Sequence, residues 1–374
     1  RVAANIRHRR SRRSGGGVVS VVIEERDPVA GLAWTVLRGE RTDVMRALGR
    51  THAEAIHAQR VAEDGSWSAN VRRARGVAAA RFAAVVAATK SLLPLEADEL
   101  AAIAEGAEVD AHELWAQNLR GDLGRDGTGC SDVSFVGRGG VVLGHNEDGD
   151  GDLRGAIRLV TLRIEGDPDM TALWYPGMLP SNAFVTTAAG LAFGMDHVPV
   201  RVANQGGAGR HFVARRAQRQ QTGDAARAAL ADIACAGGFA FDVADARSRR
   251  TDLIENAAGR VAQVPGGARA TCHTNHLRAV DGTREGLAVA PDDVWLVESR
   301  SRLAALRSVA DEADDAETVR AALRAERVLG RSADLYTLAS IVVDQATDTI
   351  TVQTDGDPWR GRWGAFARGE RKDA

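Results

Sequence analysis

Cysteine is scarce in this sequence: Cys130, Cys235 and Cys272 are the three among 374 residues. They cannot build a disulfide framework, and none sits in the C-x-x-C spacing of a structural zinc site. A reduced compartment, read as cytoplasmic, is the expectation. An excess of one charge is also missing, since 48 basic side chains stand against 50 acidic ones. That balance argues against a whole-chain role on nucleic acid or on a membrane surface. Lysine is almost absent, with only Lys90 and Lys372; beside so much Ala and Gly, this reads as genome composition and carries no chemistry. No apolar run approaches the roughly 20 residues of a membrane-crossing helix, and no internal repeat is evident.

The first thirteen residues hold Arg1, Arg7, Arg9, Arg10, Arg12 and Arg13, and two Arg-Arg pairs raise the twin-arginine export signal. The apolar run after Ser14-Gly15-Gly16-Gly17 ends by Ile23, ahead of Glu24-Glu25. It is too short for an export segment, so residues 1–16 are expected to be a disordered leader.

Along the rest of the chain, period-two and helical spacings alternate in blocks. Val18–Ile23 reads as a strand. Helical patterns follow from Thr42-Asp43 through Ile56, over Val71–Thr89, and from Leu95 to Leu119. Residues 17–129 are therefore expected to be a mainly helical segment, closed by a glycine-rich stretch, Gly121–Gly129, with the composition of an exposed, mobile linker.

From Cys130 the chain becomes strand-rich. A hairpin joins 133–136 to 141–144 across Gly137–Gly140, and further strands are predicted at 157–164, 170–174, 183–187 and 191–195. Helices are predicted at 212–221 and 224–234, then strands at 239–243, 252–255 and 260–264. Helical stretches run from 299 to 327, and strands at 335–344 and 349–353 close the chain. Runs of strands, then helices, then strands predict an α+β fold. Two antiparallel sheets face to face with helices outside would make a four-layer αββα sandwich, with residues 130–374 as one body.

Chemistry concentrates at Cys130. A cysteine is a good nucleophile that usually needs an adjacent base or positive charge, and a lone cysteine is more often a small buried hydrophobe. Gly129 changes the balance. If the Gly129–Cys130 bond is cut, the new α-amino group, with an ordinary pKa of about 7.7–8.0, sits on the nucleophile's own residue and can serve as its base.

Thr128-Gly129-Cys130-Ser131, Gly144-His145-Asn146-Glu147-Asp148, Thr274-Asn275-His276, Ser299-Arg300-Ser301-Arg302-Leu303 and Thr337-Leu338-Ala339-Ser340-Ile341-Val342 resemble the autoproteolytic acyltransferase/hydrolase family of N-terminal-nucleophile enzymes. That family includes the fungal acyltransferase that exchanges the penicillin side chain, with bile-salt hydrolases as more distant kin. Leu100–Ala107 and Trp115–Leu119 resemble phrases of its pro-region. The resemblance spans about residues 35–360 and implies self-cleavage between Gly129 and Cys130 by an N-to-S acyl shift. It further implies that Asp148, eighteen positions after Cys130, orients the new α-amino group, and that Asn275 forms the oxyanion hole with a backbone N–H. Arg331 matches an arginine placed near the nucleophile in relatives, whereas Arg302 reads as a structural side chain. Asp132, His145, Asn146, Asn182 and His276 are candidate pocket residues. Two departures bear on substrate choice. His145, ordinarily neutral at pH 7, stands where bile-salt hydrolases carry an arginine, and Thr187 stands where relatives often carry asparagine.

Competing motifs fail. Asn146–Gly151 resembles the start of a calcium loop, but Ile157 occupies the position that needs a bidentate glutamate. Cys272-His273-Thr274-Asn275-His276 lacks a partner cluster that would complete a metal site, although Cys272 itself could be reactive. Gly206–Phe212 breaks the dinucleotide fingerprint at its last glycine. The expectation is a cysteine amidohydrolase or acyltransferase without cofactor or metal. It would act on a small-molecule or peptide amide and keep its own cleaved pro-segment as a subunit, with no nucleic-acid or membrane partner and homo-oligomerisation left open. Acyl transfer to an amine of secondary metabolism, or a silent homologue serving as a binding module, are the alternatives.

Overall fold

A computed structural model describes residues 21–60, 65–123 and 129–374. The chain opens with a hairpin of β1 (Val22–Val29) and β2 (Leu32–Gly39). Helices α1 (Arg41–Thr51), α2 (Ala53–Arg60), α3 (Ser66–Arg75), α4 (Ala79–Leu92), α5 (Pro94–Ala107) and α6 (Ala111–Asn118) follow. Next come β3 (Cys130–Val136), β4 (Val141–Gly149), β5 (Arg158–Ile164), β6 (Met170–Trp174), β7 (Val185–Thr187) and β8 (Leu191–His197). Helices α7 (Arg210–Gln218) and α8 (Gly223–Asp232) precede β9 (Gly238–Asp245), β10 (Arg250–Ala257), β11 (Arg260–Pro265) and β12 (Thr271–His273). The chain closes with α9 (Val294–Ala310), α10 (Ala316–Leu323), β13 (Tyr336–Asp344), β14 (Thr349–Gln353), β15 (Trp359–Arg362) and α11 (Trp363–Ala367).

Among the described residues the strands form two sheets. A nine-stranded sheet runs β1-β2-β5-β6-β7-β8-β9-β10-β11, and a six-stranded sheet runs β12-β3-β4-β13-β14-β15. Alternating side chains on each strand sort the core into layers. Leu159, Leu173 and Ala192 of the large sheet meet Val141, Leu143, Ile341 and Val343 of the small one in the space between. Helices α1, α5, α6 and α7 cover the outer face of the large sheet, where Val160, Leu162 and Phe193 lie. Helices α9 and α10 cover the outer face of the small sheet through Leu303, Leu306 and Val319 against Val133 and Phe135. The fold is the expected αββα sandwich.

Local chemistry explains the helix starts nearest the site. Asp293 caps α9 by accepting from the Trp295 and Leu296 N–H groups, and Asp315 caps α10 through Thr318; each satisfies donors that a first helical turn leaves open.

The structure differs from the sequence expectation at several points. The segment before Cys130 is not simply a helical appendage, because β2 lies inside the large sheet and pairs with β5 over Trp34–Gly39. Its polar edge partner β1, largely exposed, hides the alternation that would have marked a hairpin. The β2–β5 pair is parallel, so the large sheet is mixed and not purely antiparallel. The single helix expected over 71–89 is broken around Gly76 into α3 and α4. Gly121–Leu123, expected in an exposed linker, is buried, with Asp122 accepting from the Arg210 and Gly237 N–H groups. The leader 1–16, residues 18–20 of the predicted strand and residues 124–128 lie outside the described residues. No helix among the described residues is long and apolar enough to cross a membrane.

Because β2 is hydrogen-bonded into the sheet and α1 and α5 are buried against it, severing the chain between Leu123 and Cys130 should not separate the halves. The expected result is two bands under denaturing electrophoresis and one species in native gel filtration, parting only when denaturant unfolds the body.

Candidate active site

Cys130 is the first residue of β3, and the β3–β4 register places it opposite Glu147, with Asp132 opposite His145. Cross-strand partners share a face, so Cys130, Asp132, His145 and Glu147 project between the sheets. Ser131, Asn146 and Asp148 project toward α9 and α10, as their partners there show. The bond before Cys130 is held at both ends. The Gly129 carbonyl accepts from the Asp148 backbone N–H at 3.1 Å, and the Cys130 N–H donates to Asn275 Oδ1 at 2.9 Å.

Arg302, carried by α9, organises this corner. Its Nη1 donates to the Cys130 carbonyl and, at 2.9 Å, to Ser131 Oγ. Its Nη2 reaches Asn275 Oδ1 at 2.7 Å and Glu298 Oε2 at 2.9 Å, while Nε binds Glu298 Oε1 at 2.8 Å. Asp148 Oδ2 lies 3.7 Å from Nη1. Burial alone lowers the guanidinium pKa, but the Glu298 hydrogen bonds and the Asp148 charge outweigh it and raise the pKa above its ordinary value. The group is a permanent cation. Asn275 uses its remaining amide group to donate to the His197 carbonyl at 2.9 Å.

On the inter-sheet face the thiol donates to Glu147 Oε2 at 3.9 Å. Glu147 Oε1 accepts from the Tyr175 hydroxyl at 2.6 Å, and Oε2 is 3.0 Å from His145 Nε2. His145 Nδ1 meets Asp132 Oδ1 at 2.7 Å. Burial would lower the His145 pKa, yet Asp132 and Glu147 raise it well above its ordinary value. Asp132 and Glu147 thus favour the protonated ring, the opposite direction from the neutral ring expected. A second clamp adjoins it: His273 Nδ1 binds Asp196 Oδ2 at 2.6 Å and Nε2 binds Glu255 Oε1 at 3.1 Å. Burial and the neighbouring Asp196 push Asp132 up to about 7.

Burial, with Glu147, Asp196 and Asp148 nearby, holds the Cys130 thiol well above the ordinary cysteine range. The Cys130 thiol is thus held in its protonated form. Burial pushes Asp148 up to about 6, against the opposing pull of Arg302 and Thr337.

Other predicted residues fall elsewhere. Arg331 is not beside Cys130: its guanidinium covers the Tyr336 ring, donates to the Gly330 carbonyl and faces Asp355 at 3.9 Å, half exposed. Arg302 occupies the place expected for it. Asn146 is not a pocket residue, because it projects away from Cys130 and donates to the Leu323 carbonyl at the end of α10. Asn182 is buried, with an Oδ1 that lacks a hydrogen-bond partner among the described residues. His276 binds Ser299 Oγ at 2.8 Å and, with Asn275, Pro199, Leu277, Leu296 and Arg300, lines a cleft of about 150 Å³. Burial and the neighbouring cations push its pKa down to about 4, leaving it neutral. Cys272 is buried and its thiol is pushed up to about 12, mainly by burial, which suppresses the reactivity considered for it.

Two groups, Cys130/His145/Glu147 and Asp132/His145/Asp196, bring three metal-ligand atoms within 4.8 Å of one another. Both draw on His145, whose ring nitrogens are each hydrogen-bonded to a carboxylate.

A sequence model of the family described as acyl-coenzyme A:6-aminopenicillanic acid acyl-transferase matches residues 136–358. The chain belongs to this acyltransferase family. Asp148, Asn275 and Arg302 lie within the matched residues; Cys130 lies just before them. No curated protein sequence matches. Among solved structures, the chain is similar to a mutant of conjugated bile acid hydrolase from Clostridium perfringens, with 11% identity, 62% of this chain and 91% of that chain covered, and a TM-score of 0.40. Penicillin V acylase from Agrobacterium tumefaciens gives 12%, 62%, 84% and 0.38 in the same order. The Caenorhabditis elegans ortholog of N-acylethanolamine-hydrolyzing acid amidase gives 12%, 58%, 93% and 0.41. Likenesses this loose place no residue.

The raised Asp148 pKa has a signed consequence. The folded chain binds this proton more tightly than the unfolded one, so the associated stability is fully present below about pH 4 and is lost as pH rises through about 6. Thermal melts of uncut Cys130→Ala protein should show a decline over that window that is shallower in Cys130→Ala/Asp148→Asn. Identical pH slopes would contradict the assignment.

Proposed function

We propose that the chain is an autocatalytically processed cysteine N-terminal-nucleophile amidohydrolase or acyltransferase that cuts itself between Gly129 and Cys130 and then handles a linear amide through an acyl-enzyme on Cys130. One observation carries the reading. The Gly129–Cys130 peptide is gripped at its carbonyl by the Asp148 N–H and at its nitrogen by Asn275, with a thiol on the same residue. Family membership supports the same chemistry.

Cleavage reverses the electrostatics of the nucleophile. Before it, burial and three carboxylates keep the thiol protonated. Afterwards a free amine arises two bonds from Cβ, next to Asn275 Oδ1; once it takes the thiol proton it is an adjacent cation, which favours the thiolate. In turnover the α-amino group takes the thiol proton as Sγ attacks the substrate carbonyl, and returns it to the leaving amine. Asp148, fixed by Arg302, orients the ammonium. Asn275 and a backbone N–H stabilise the oxyanion, a contribution of about 10²–10³ in rate per donor. Water or an acceptor amine then releases the acyl group, and the cleft beside Asn275 and His276 admits a small-molecule or peptide amide. The severed segment 1–129 remains as a subunit.

Intact-mass analysis and N-terminal sequencing test the reading. Active protein should contain a chain beginning Cys-Ser-Asp-Val, and Cys130→Ala should stay whole and lose amide turnover by at least about 10³-fold. Turnover by an uncut chain would overturn it. Arg302→Met should remove both processing and turnover, whereas Arg331→Met should leave turnover within about threefold, because its guanidinium and its acidic partner Asp355 are exposed.

A further inference from the structure

We propose that Glu147 is the base that removes the thiol proton when the chain cuts itself, a task separate from the turnover that the α-amino group later serves. The inference rests on the processing reading above. Before the cut, the Cys130 nitrogen is an amide with no basic lone pair, and its N–H is donated to Asn275. The base of the mature enzyme does not yet exist, so the first reaction needs another.

Two carboxylates stand opposite the start of β3, and strand alternation separates them. Asp148 faces Arg302 on the helix side. Glu147 shares the inter-sheet face with the Cys130 side chain and accepts the thiol hydrogen bond at 3.9 Å. Its carboxylate is held from the other sides by the Tyr175 hydroxyl at 2.6 Å and by His145 Nε2 at 3.0 Å, and His145 is itself fixed by Asp132 at 2.7 Å. A group locked in this way is pre-organised for one proton transfer. The Asp148 N–H, 3.1 Å from the Gly129 oxygen, supplies a donor for the oxyanion that forms.

The step balances without a co-reactant other than water. Glu147 takes the Sγ proton as Sγ bonds to the Gly129 carbonyl carbon. The C–N bond then breaks while that proton passes to the departing Cys130 nitrogen, leaving a Gly129–Sγ thioester and a free amine. Water cleaves the thioester, forming the Gly129 carboxylic acid and restoring the thiol.

The test follows processing by intact mass after cell-free synthesis of the full chain, with thermal melts to verify folding. Glu147→Gln keeps the shape of the side chain and should slow processing by about 10²-fold or more, a larger loss than in turnover per cleaved chain. Glu147→Ala should be equally slow, and added formate, which restores a carboxylate to the vacated space, should accelerate it in a saturable way. Wild-type processing rates in Glu147→Gln, or a folded Glu147→Ala that formate does not accelerate, would overturn the role of Glu147 alone. A wild-type chain that stays whole while active would instead overturn the processing reading on which it rests.

Discussion

The buried Arg302 guanidinium is the interaction on which the site depends. One side chain from α9 binds the Cys130 carbonyl, Ser131, Asn275 and Glu298, and faces Asp148. It thereby joins β3, β4, the loop after β12 and the outer helical layer. Removing one partner of a buried charge pair costs about 3–5 kcal/mol, because the other charge is left without compensation. The sandwich meets that demand by surrounding a fixed cation with acceptors, including the Cys130 carbonyl. Positions of Cys130, Asp148 and Asn275 are therefore set by the packing of α9 on the small sheet, through Leu303 and Leu306 against Val133 and Phe135.

Around that anchor, the two faces of β4 divide the labour. Toward the helices, Asp148 faces Arg302, where the proposed cleavage would set an ammonium group. Toward the space between the sheets, Glu147, His145 and Asp132 form a hydrogen-bonded chain beside the thiol, continued by Asp196, His273 and Glu255. Glu255 is the best satisfied member of this chain, accepting backbone N–H groups from Arg278, Ala279 and Val280, whereas Asp132 Oδ2 and Asp196 Oδ1 have no hydrogen-bond partner among the described residues. The same acidic surroundings that raise the thiol pKa place the Glu147 carboxyl against it, so in the proposed reading silence and readiness share one cause.

Much of this was legible in the sequence, and the failures have physical reasons. Short apolar and β-branched runs bounded by glycine turns marked most strands from Cys130 onward, because β3, β4, β8, β9 and β13 are buried on both faces between the sheets and the outer helices. The β1–β2 hairpin was missed because β1 is an exposed edge of charged residues without alternation. Glu147 was within reach: once 136 pairs with 141, the hairpin register carries Cys130 to 147, not 148. Choosing Arg302 over Arg331 was not possible from spacing, because α9 enters the site across the sheet from a distant point in the chain. The protonated form favoured at His145 was harder to read, because Glu147 shares its strand face two residues on but Asp132 becomes a neighbour only through the β3–β4 register.

The central claim is that breaking the Gly129–Cys130 bond turns a suppressed thiol into a nucleophile. Pulsed alkylation with iodoacetamide at pH 7 during maturation, read by intact mass, measures Cys130 reactivity in cut and uncut chains of one sample. The account predicts label on Cys130 of the cut chain and almost none on the uncut chain. Equal labelling of the two forms would contradict it.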